Sequence, residues 1–439
     1  MPIPCDTLLT GSHIVTQNPE RAIIPEGGVA ITQGKIVAVG QAADLLQQFT
    51  PGRHLDFGPS IILPGLHNAH GHVAMTFLRG LGDDMPLMDW LTKRIFPVEK
   101  HLTAELVELA SLLGCAEMMR TGTTSFVDMY LIEDAVGRAV DRAGMKVLAG
   151  EAIFSFPSPA YANADTAFAL VQEQHDRWKD HKRVRICLTP HTVYTTNTDI
   201  LTRCGLLASD LGIPLHIHVA ETSQETAESM RQYGKRPLEV CREAGLLGPT
   251  TNVAHVVDIT PEEIDLLLAT RTQVSHNPKS NLKLASGFAP VPQMLEKGIL
   301  PGLGTDGAAS NNTLNMFGEM NICALIHKGL SKDPAVCPAQ TVLDMATLGG
   351  AAAMFSDDTG SLLPGKAADI TVLGIDSPNM VPMYAPVSHL VYAASGHEVR
   401  LTMIDGDIVY HDGKYPTIDL EGVRKEMWAM RQWILDKVE

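Results

Sequence analysis

Leu63-Pro64-Gly65-Leu66-His67-Asn68-Ala69-His70-Gly71-His72 is the stretch from which the fold of this 439-residue chain is read. The Ile61-Ile62-Leu63 run before it reads as a buried strand, and Pro64-Gly65 punctuates it. In extended chain, residues two apart share a face and lie roughly 6–7 Å apart. His70 and His72 can therefore close on one metal ion from a strand end. His-x-His alone is a weak signal, because two histidines on a surface loop satisfy it equally well.

Working outward, further strand-like runs lie at 124–127, 146–150, 184–188, 214–219, 252–254, 273–275 and 299–303. With 61–63 they make eight, and helix-like segments separate them. Thr260-Pro261-Glu262-Glu263 reads as N-cap, N1 proline and capping-box glutamate. Leu106, Leu109, Leu113 and Ala116 form an apolar helical stripe closed by Gly122. Eight strands alternating with helices over about 300 residues is the arithmetic of a (β/α)8 barrel, a doubly wound open sheet being the alternative. Both ends read as β: 29–32 and 36–39 flank the turn Gln33-Gly34-Lys35, and 369–373, 401–404 and 408–410 are strand-like. The expected architecture is α/β. A (β/α)8 TIM barrel occupies 61–360, and a small β-sandwich domain is formed by both chain ends, 1–60 and 361–439, the latter including a terminal helix.

Hydrophobic residues at 45% and charged residues at 19% are ordinary for a soluble globular protein. The net charge of −16, with no long Lys/Arg run, opposes a nucleic-acid surface. Seven scattered cysteines, none spaced as Cys-x-x-Cys, argue for reduced thiols in a cytoplasmic protein. No secretion signal is evident, and no apolar stretch approaches the roughly 18 residues needed to span a bilayer. The expectation is a cytoplasmic protein with a small-molecule substrate and neither nucleic-acid nor membrane partners; a homo-oligomer is compatible with the sequence.

In a barrel the chemistry sits at the C-terminal ends of strands. Polar residues recur there: His70 and His72, then His191, His216 and His218 with Glu221 close behind, then His255, His276 and Asp306. Each has a plain structural reading. His216 and His218 share a strand face, so periodicity does not choose between them. His276 can cap its strand through Asn277-Pro278, and Asp306 can be a turn residue. Jointly, a metal site accounts for them best. Gly302-Leu303-Gly304-Thr305-Asp306-Gly307 matches G-x-G-x-x-G after a strand. However, His327-Lys328 stand where a dinucleotide site needs an acid, so the match reads as coincidence.

These residues, in this order, resemble the amidohydrolase superfamily, and more narrowly its 5′-methylthioadenosine/S-adenosylhomocysteine deaminase family. The likeness spans nearly the whole chain. It is carried by 63–81 (LPGLHNAHGHVAMTFLRGL), Trp90 through Pro97-Val98-Glu99, Phe126-Val127-Asp128-Met129-Tyr130, 216–222, 275–284 (SHNPKSNLKL), 303–315 (LGTDGAASNNTLN) and 363–369. The resemblance implies a mononuclear zinc site, with Fe2+ as the alternative ion, held by His70, His72, His218 and Asp306. Binuclear relatives carry a bridging lysine at the end of the fourth strand, where this chain has Cys187-Leu188-Thr189-Pro190-His191. The resemblance also implies that Glu221 protonates the adenine ring, Asp306 moves the water proton and His255 orients the nucleophile. Glu99 would hold the ribose hydroxyls, His191 would contact the substrate and Trp90 would line the pocket.

The reaction so implied is hydrolytic deamination of an adenine nucleoside to its inosine analogue and ammonia. One departure bears on the substrate. S-adenosylhomocysteine-accepting relatives can carry arginines after the third strand, whereas 147–176 contains no Arg or Lys, and Glu151 stands near the expected first position. An unpaired carboxylate is costly to enclose. The expectation is therefore 5′-methylthioadenosine, adenosine or 5′-deoxyadenosine ahead of S-adenosylhomocysteine. The alternatives are a guanine or cytosine deaminase or a triazine hydrolase on the same metal set, and, from another class, a non-catalytic assembly scaffold.

Overall fold

A computed structural model describes residues 1–85 and 87–438. The fold is mixed α/β, with two parallel sheets and one larger mixed sheet. In the first parallel sheet Leu66–His72 lies between Thr123–Tyr130 and the two-residue strand Asp306–Gly307; Lys146–Ile153 follows on the far side of Thr123–Tyr130. Val184–Ile186 and Thr189–Pro190 both pair with Lys146–Ile153. The second sheet runs Leu215–Val219, Thr251–His255, Gln273–His276, Gly302–Leu303. A parallel bridge, Leu188 to Leu215, joins the two sheets, and Asp306 pairs with Gly71 at the other end. Helices separate successive strands of the two parallel sheets except between Val184–Ile186 and Thr189–Pro190 and between Gly302–Leu303 and Asp306–Gly307.

The strand carrying His70 differs from the expectation. Ile61–Leu63 does not belong to the parallel sheets: Ser60–Pro64 pairs antiparallel with Ile370–Gly374 and parallel with Ile3–Val15, in the sheet made by the chain ends. The parallel strand is Leu66–His72, so His70 and His72 lie on it rather than after it. Its sequence, LHNAHGH, has no apolar run to flag it. Its polar side chains are nonetheless buried, because each meets a partner: Asn68 donates to Thr305 Oγ1 at 2.7 Å, and His67 bonds Ser125. Gly65 separates the two strands where a Cβ would lie 2.2 Å from Thr124 Cγ2.

The sheet from the chain ends has eight strands, in the order Asp407–His411, Val399–Ile404, Ile370–Gly374, Ser60–Pro64, Ile3–Val15, Ile23–Thr32, Lys35–Gln41, with Phe49–Asp56 also on Ile3–Val15. The predicted hairpin is present. Gln33 (φ 51°) and Gly34 (φ 74°) form its two-residue turn, both left-handed as a type I′ turn requires. The sheet has apolar groups on both faces, Leu8 among Cys5, Leu45 and Phe49, Leu9 among Ile14, Ile62 and Ile370. Lys146 ties it to the parallel sheets through Asp369 (2.8 Å) and Asp405 (2.6 Å).

The helix Pro261–Thr270 carries the predicted capping box, Thr260 with Glu263. Ala104–Arg120 is buried nearly all round, and Leu109 and Leu113 of the predicted stripe sit on its less buried side. No helix among the described residues is long and apolar enough to cross a membrane.

The three glycines of the G-x-G-x-x-G match serve packing. A Cβ on Gly302 would lie 2.7 Å from that of Ala69, on Gly304 2.8 Å from the His70 amide, and on Gly307 2.7 Å from Met75 Sδ. They let the Gly302–Leu303 and Asp306–Gly307 strands press against Leu66–His72.

Candidate active site

His70, His72 and His218 offer nitrogen atoms that lie within 4.8 Å of one another. Each ring is fixed by a bond at its other nitrogen. His72 Nδ1 donates to the Met129 carbonyl, and His218 Nδ1 donates to the His191 carbonyl at 2.9 Å. The third ring is set through a relay. His216 Nδ1 must donate to the Asn252 carbonyl (3.1 Å), and burial keeps His216 neutral by pulling its pKa well below the usual value. Its Nε2 can then only accept, so His70 Nδ1 is the donor across their 2.7 Å contact. All three Nε2 atoms are left facing inward, those of His70 and His72 toward Asp306 Oδ1. His216 thus joins the centre as the partner of His70 and not as a fourth ring of the cluster, the question that periodicity left open.

Asp306 supplies a carboxylate oxygen to the same point. Its Oδ1 lies 3.0 Å from His72 Nε2 and 3.4 Å from His70 Nε2, and its Oδ2 accepts from Ser280 Oγ (2.5 Å) and Ser310 Oγ (2.9 Å). Burial would raise its pKa, but the bonds and charges of His70 and His72 outweigh that and hold it well below the carboxylate range. His70 Nε2 is buried without a hydrogen-bond partner. Three imidazoles, one of them with an orphaned inward-facing nitrogen, and one carboxylate are four donors, which fit a divalent cation able to expand to five-coordination and take a water.

Around this point the backbone is strained. Ala220 (φ 52°), His255 (φ 74°), Val256 (φ 42°) and Asp306 (φ 60°) are left-handed non-glycine residues at or just after strand ends. Such conformations cost of order 1–3 kcal/mol each and persist only where the surroundings impose them. Here they aim His255, Glu221 and Asp306 into one cleft. His255 Nδ1 donates to Asn281 Oδ1 (2.8 Å), leaving its Nε2 3.9 Å from Glu221 Oε2. Burial raises the Glu221 pKa. Glu225 Oε1 and Oε2 accept from the Ala220 and Glu221 amides (2.9 and 2.7 Å) and fix that turn.

The cleft encloses ≈ 720 Å³ including open solvent. His72, His218, Glu221, His255 and Asp306 lie at its floor, and Trp90, Glu99 and His191 line it as well. Burial drives the Glu99 pKa to about 7 and the His191 pKa to about 3. Tyr130 Oη donates to Glu99 Oε1 (2.8 Å), leaving Oε2 toward the cleft. No Lys or Arg is among the described lining residues. Glu151 is not at the cleft: it accepts from the Ile132 and Glu133 amides (2.8 and 2.9 Å) at the start of the Glu133–Ala143 helix. His276 does not join the centre either; its imidazole meets His327 instead.

Ser280, Ser310, Tyr130, Asn281 and Glu225 were missed from sequence. Tyr130, Ser280, Asn281 and Ser310 lie inside segments that carry the family resemblance, without a role read for them, and Thr222-x-x-Glu225 is a capping-box pattern placed directly after Glu221.

The sequence profile of the amidohydrolase family matches residues 61–409. A protein of Nitratidesulfovibrio vulgaris named 5-methylthioadenosine/S-adenosylhomocysteine deaminase is 56% identical over 435 residues, covering 99% of each chain. A 5′-deoxyadenosine deaminase of Methanothermobacter thermautotrophicus is 40% identical over 417 residues, 94% of this chain and 95% of its own. The crystal structure of an adenosine deaminase from Xanthomonas campestris with bound zinc superposes with a TM-score of 0.98 at 36% identity, covering 99% of this chain and 100% of that one.

Proposed function

Since this chain belongs to the amidohydrolase family, we propose that it is a zinc-dependent hydrolytic deaminase of adenine nucleosides. The observation that carries this is the convergence of three imidazole Nε2 atoms and Asp306 Oδ1 beside a part-buried acid, Glu221, in one cleft. His70, His72, His218 and Asp306 are the ligands of one zinc ion. The cation, when bound, supplies Lewis-acid activation that brings a water toward ionisation near neutral pH.

The protein's own groups do the rest. Glu221, whose pKa burial raises, donates its proton to N1 of the adenine ring, so the ring accepts electrons at C6 without building full negative charge. Asp306 takes the proton of the attacking water and passes it to the departing amine, while the Nε2 of His255 orients that water. The C6–N bond breaks and ammonia leaves; the remaining water proton passes from the O6 hydroxyl back to Glu221, and the inosine analogue remains. Glu99 accepts from the ribose hydroxyls, His191 contacts the nucleoside and Trp90 walls the cleft.

Leu91, Ile95, Phe96, Leu131 and Phe154 line the cleft apart from the metal-capable groups, and no Lys or Arg is among its described lining residues. A neutral, apolar 5′ group is therefore preferred, and the amino-acid carboxylate of S-adenosylhomocysteine is not. For the fold, we propose that the two parallel sheets close into a (β/α)8 barrel running from Leu66 to about residue 360, supported by the Leu188–Leu215 and Asp306–Gly71 pairings. The expected boundary at 60/61 moves to 64/65, because Ser60–Pro64 pairs in the chain-end sheet; the segments 1–64 and 361–439 form the small β-domain, and apolar clusters on both faces of its sheet support a sandwich.

Ammonia release from zinc-loaded protein with separate 5′-methylthioadenosine, adenosine, 5′-deoxyadenosine and S-adenosylhomocysteine tests this. Turnover of the first three with the fourth slowest supports the reading. Equal or faster release from S-adenosylhomocysteine removes the specificity argument, and release only from guanine, cytosine or a triazine replaces the nucleoside reading.

A further inference from the structure

His276, Cys323 and His327 form a second cluster of metal-capable groups, outside the catalytic centre. Alternation along Gln273–His276 turns Ser275 inward, where its Oγ donates to the Ala69 carbonyl (2.8 Å) and to Asn252 Oδ1 (3.0 Å). His276 accordingly points the other way, toward the helix Met316–Ser331. Cys323 and His327 are four residues apart on that helix and share its inward face. All three side chains are buried, and each offers a ligand atom within 4.8 Å of the others. The two imidazoles meet through Nε2 at 3.2 Å. That is close to the separation of about 3.3 Å between two nitrogens on one tetrahedral zinc at 2.0–2.1 Å.

One shared hydrogen at most holds the two neutral imidazoles of this cluster together through Nε2, and His276 Nδ1 is buried with no partner at all. An added proton is not the remedy, because burial lowers the pKa of His327 to about 4 and that of His276 well below its usual value. The same burial raises the Cys323 thiol. A cation that accepts both Nε2 lone pairs and takes the Cys323 thiolate replaces the single shared hydrogen with three bonds, leaving only the His276 Nδ1–H without a partner.

We propose that His276, Cys323 and His327 bind a thiophilic divalent cation of the zinc class as a structural site pinning the Met316–Ser331 helix to the sheet. Binding forms two metal–nitrogen bonds and one metal–sulfur bond and releases the Cys323 thiol proton to solvent. Three protein donors leave one tetrahedral position. The catalytic zinc is separate and its ligands are not involved, so this inference stands apart from the deaminase reading.

Cobalt substitution tests it. Full-length wild type, Cys323→Ser and His327→Gln are produced in zinc-depleted, Co2+-supplemented medium, and metal per chain and the near-ultraviolet spectrum are measured. The His70, His72, His218 and Asp306 set holds no thiol, so a thiolate-to-cobalt charge-transfer band reports the second site alone. The expected result is two cobalt ions per chain with that band in the wild type. Both variants should hold one ion without the band and retain turnover. One ion per chain without the band in the wild type overturns the proposal, as does a band that survives Cys323→Ser. The wild-type spectrum decides even if a variant fails to fold.

Discussion

At the scale of single residues, the catalytic centre is a problem in lone-pair direction. Three imidazoles can face one cation only if each keeps its hydrogen on Nδ1, and three acceptors impose that: Met129 O, His191 O and His216 Nε2. Removing such a partner typically costs 10–100-fold in metal affinity. His216→Ala should therefore weaken zinc binding by roughly that factor while leaving the ligands in place, as metal competition with a chromophoric chelator would measure. Glu221 lies outside the ligand set. Glu221→Gln should keep its zinc and lose on the order of 10²–10⁴-fold in kcat, whereas His72→Ala should lose both metal and turnover. Zinc loss in Glu221→Gln would make Glu221 a ligand and contradict its assignment as the ring acid.

At the scale of elements, strand ends and the turns after them place the chemistry. Glu99 sits at the end of Phe96–Glu99, held by Tyr130 from the neighbouring Thr123–Tyr130 strand. Burial raises its pKa to about 7. The acid is neutral below that value and ionised above it, and in the proposed reading it is the ionised form that accepts from both ribose hydroxyls. KM for adenosine should accordingly fall as pH rises through about 7, and Glu99→Gln should abolish that dependence without moving the kcat profile. Sequence reading served the elements unevenly. Hairpin and capping-box signals are local chemistry, so the Gln33-Gly34 turn and the Thr260–Glu263 box were legible. Leu66–His72 was not, because its buried polar groups are matched by residues far along the chain, Thr305 and His216 among them. The adjacent apolar run Ile61–Leu63 drew the strand assignment instead. The supporting Ser280, Ser310 and Asn281 stayed hidden for the same reason: a hydroxyl or amide declares its partner only after folding.

At the scale of the molecule, the cleft depends on two layers staying in register. Lys146, on a parallel strand, reaches Asp369 and Asp405 of the chain-end sheet, and Asp369 is fully enclosed. Removing one partner of a buried ion pair strands the other. Lys146→Ala should cost about 3–5 kcal/mol, read as a lower denaturation midpoint with the ligand set intact. The motif-bearing segments read from sequence, 63–81, 216–222, 275–284 and 303–315, all converge here because strands distant in sequence end side by side. The most direct measurement follows the adenine absorbance of 5′-methylthioadenosine with chelator-stripped protein, before and after one equivalent of zinc. The account predicts no change before zinc and conversion to the hypoxanthine chromophore after it. Full turnover by stripped protein, or an unchanged adenine band in protein shown to hold zinc, would contradict it.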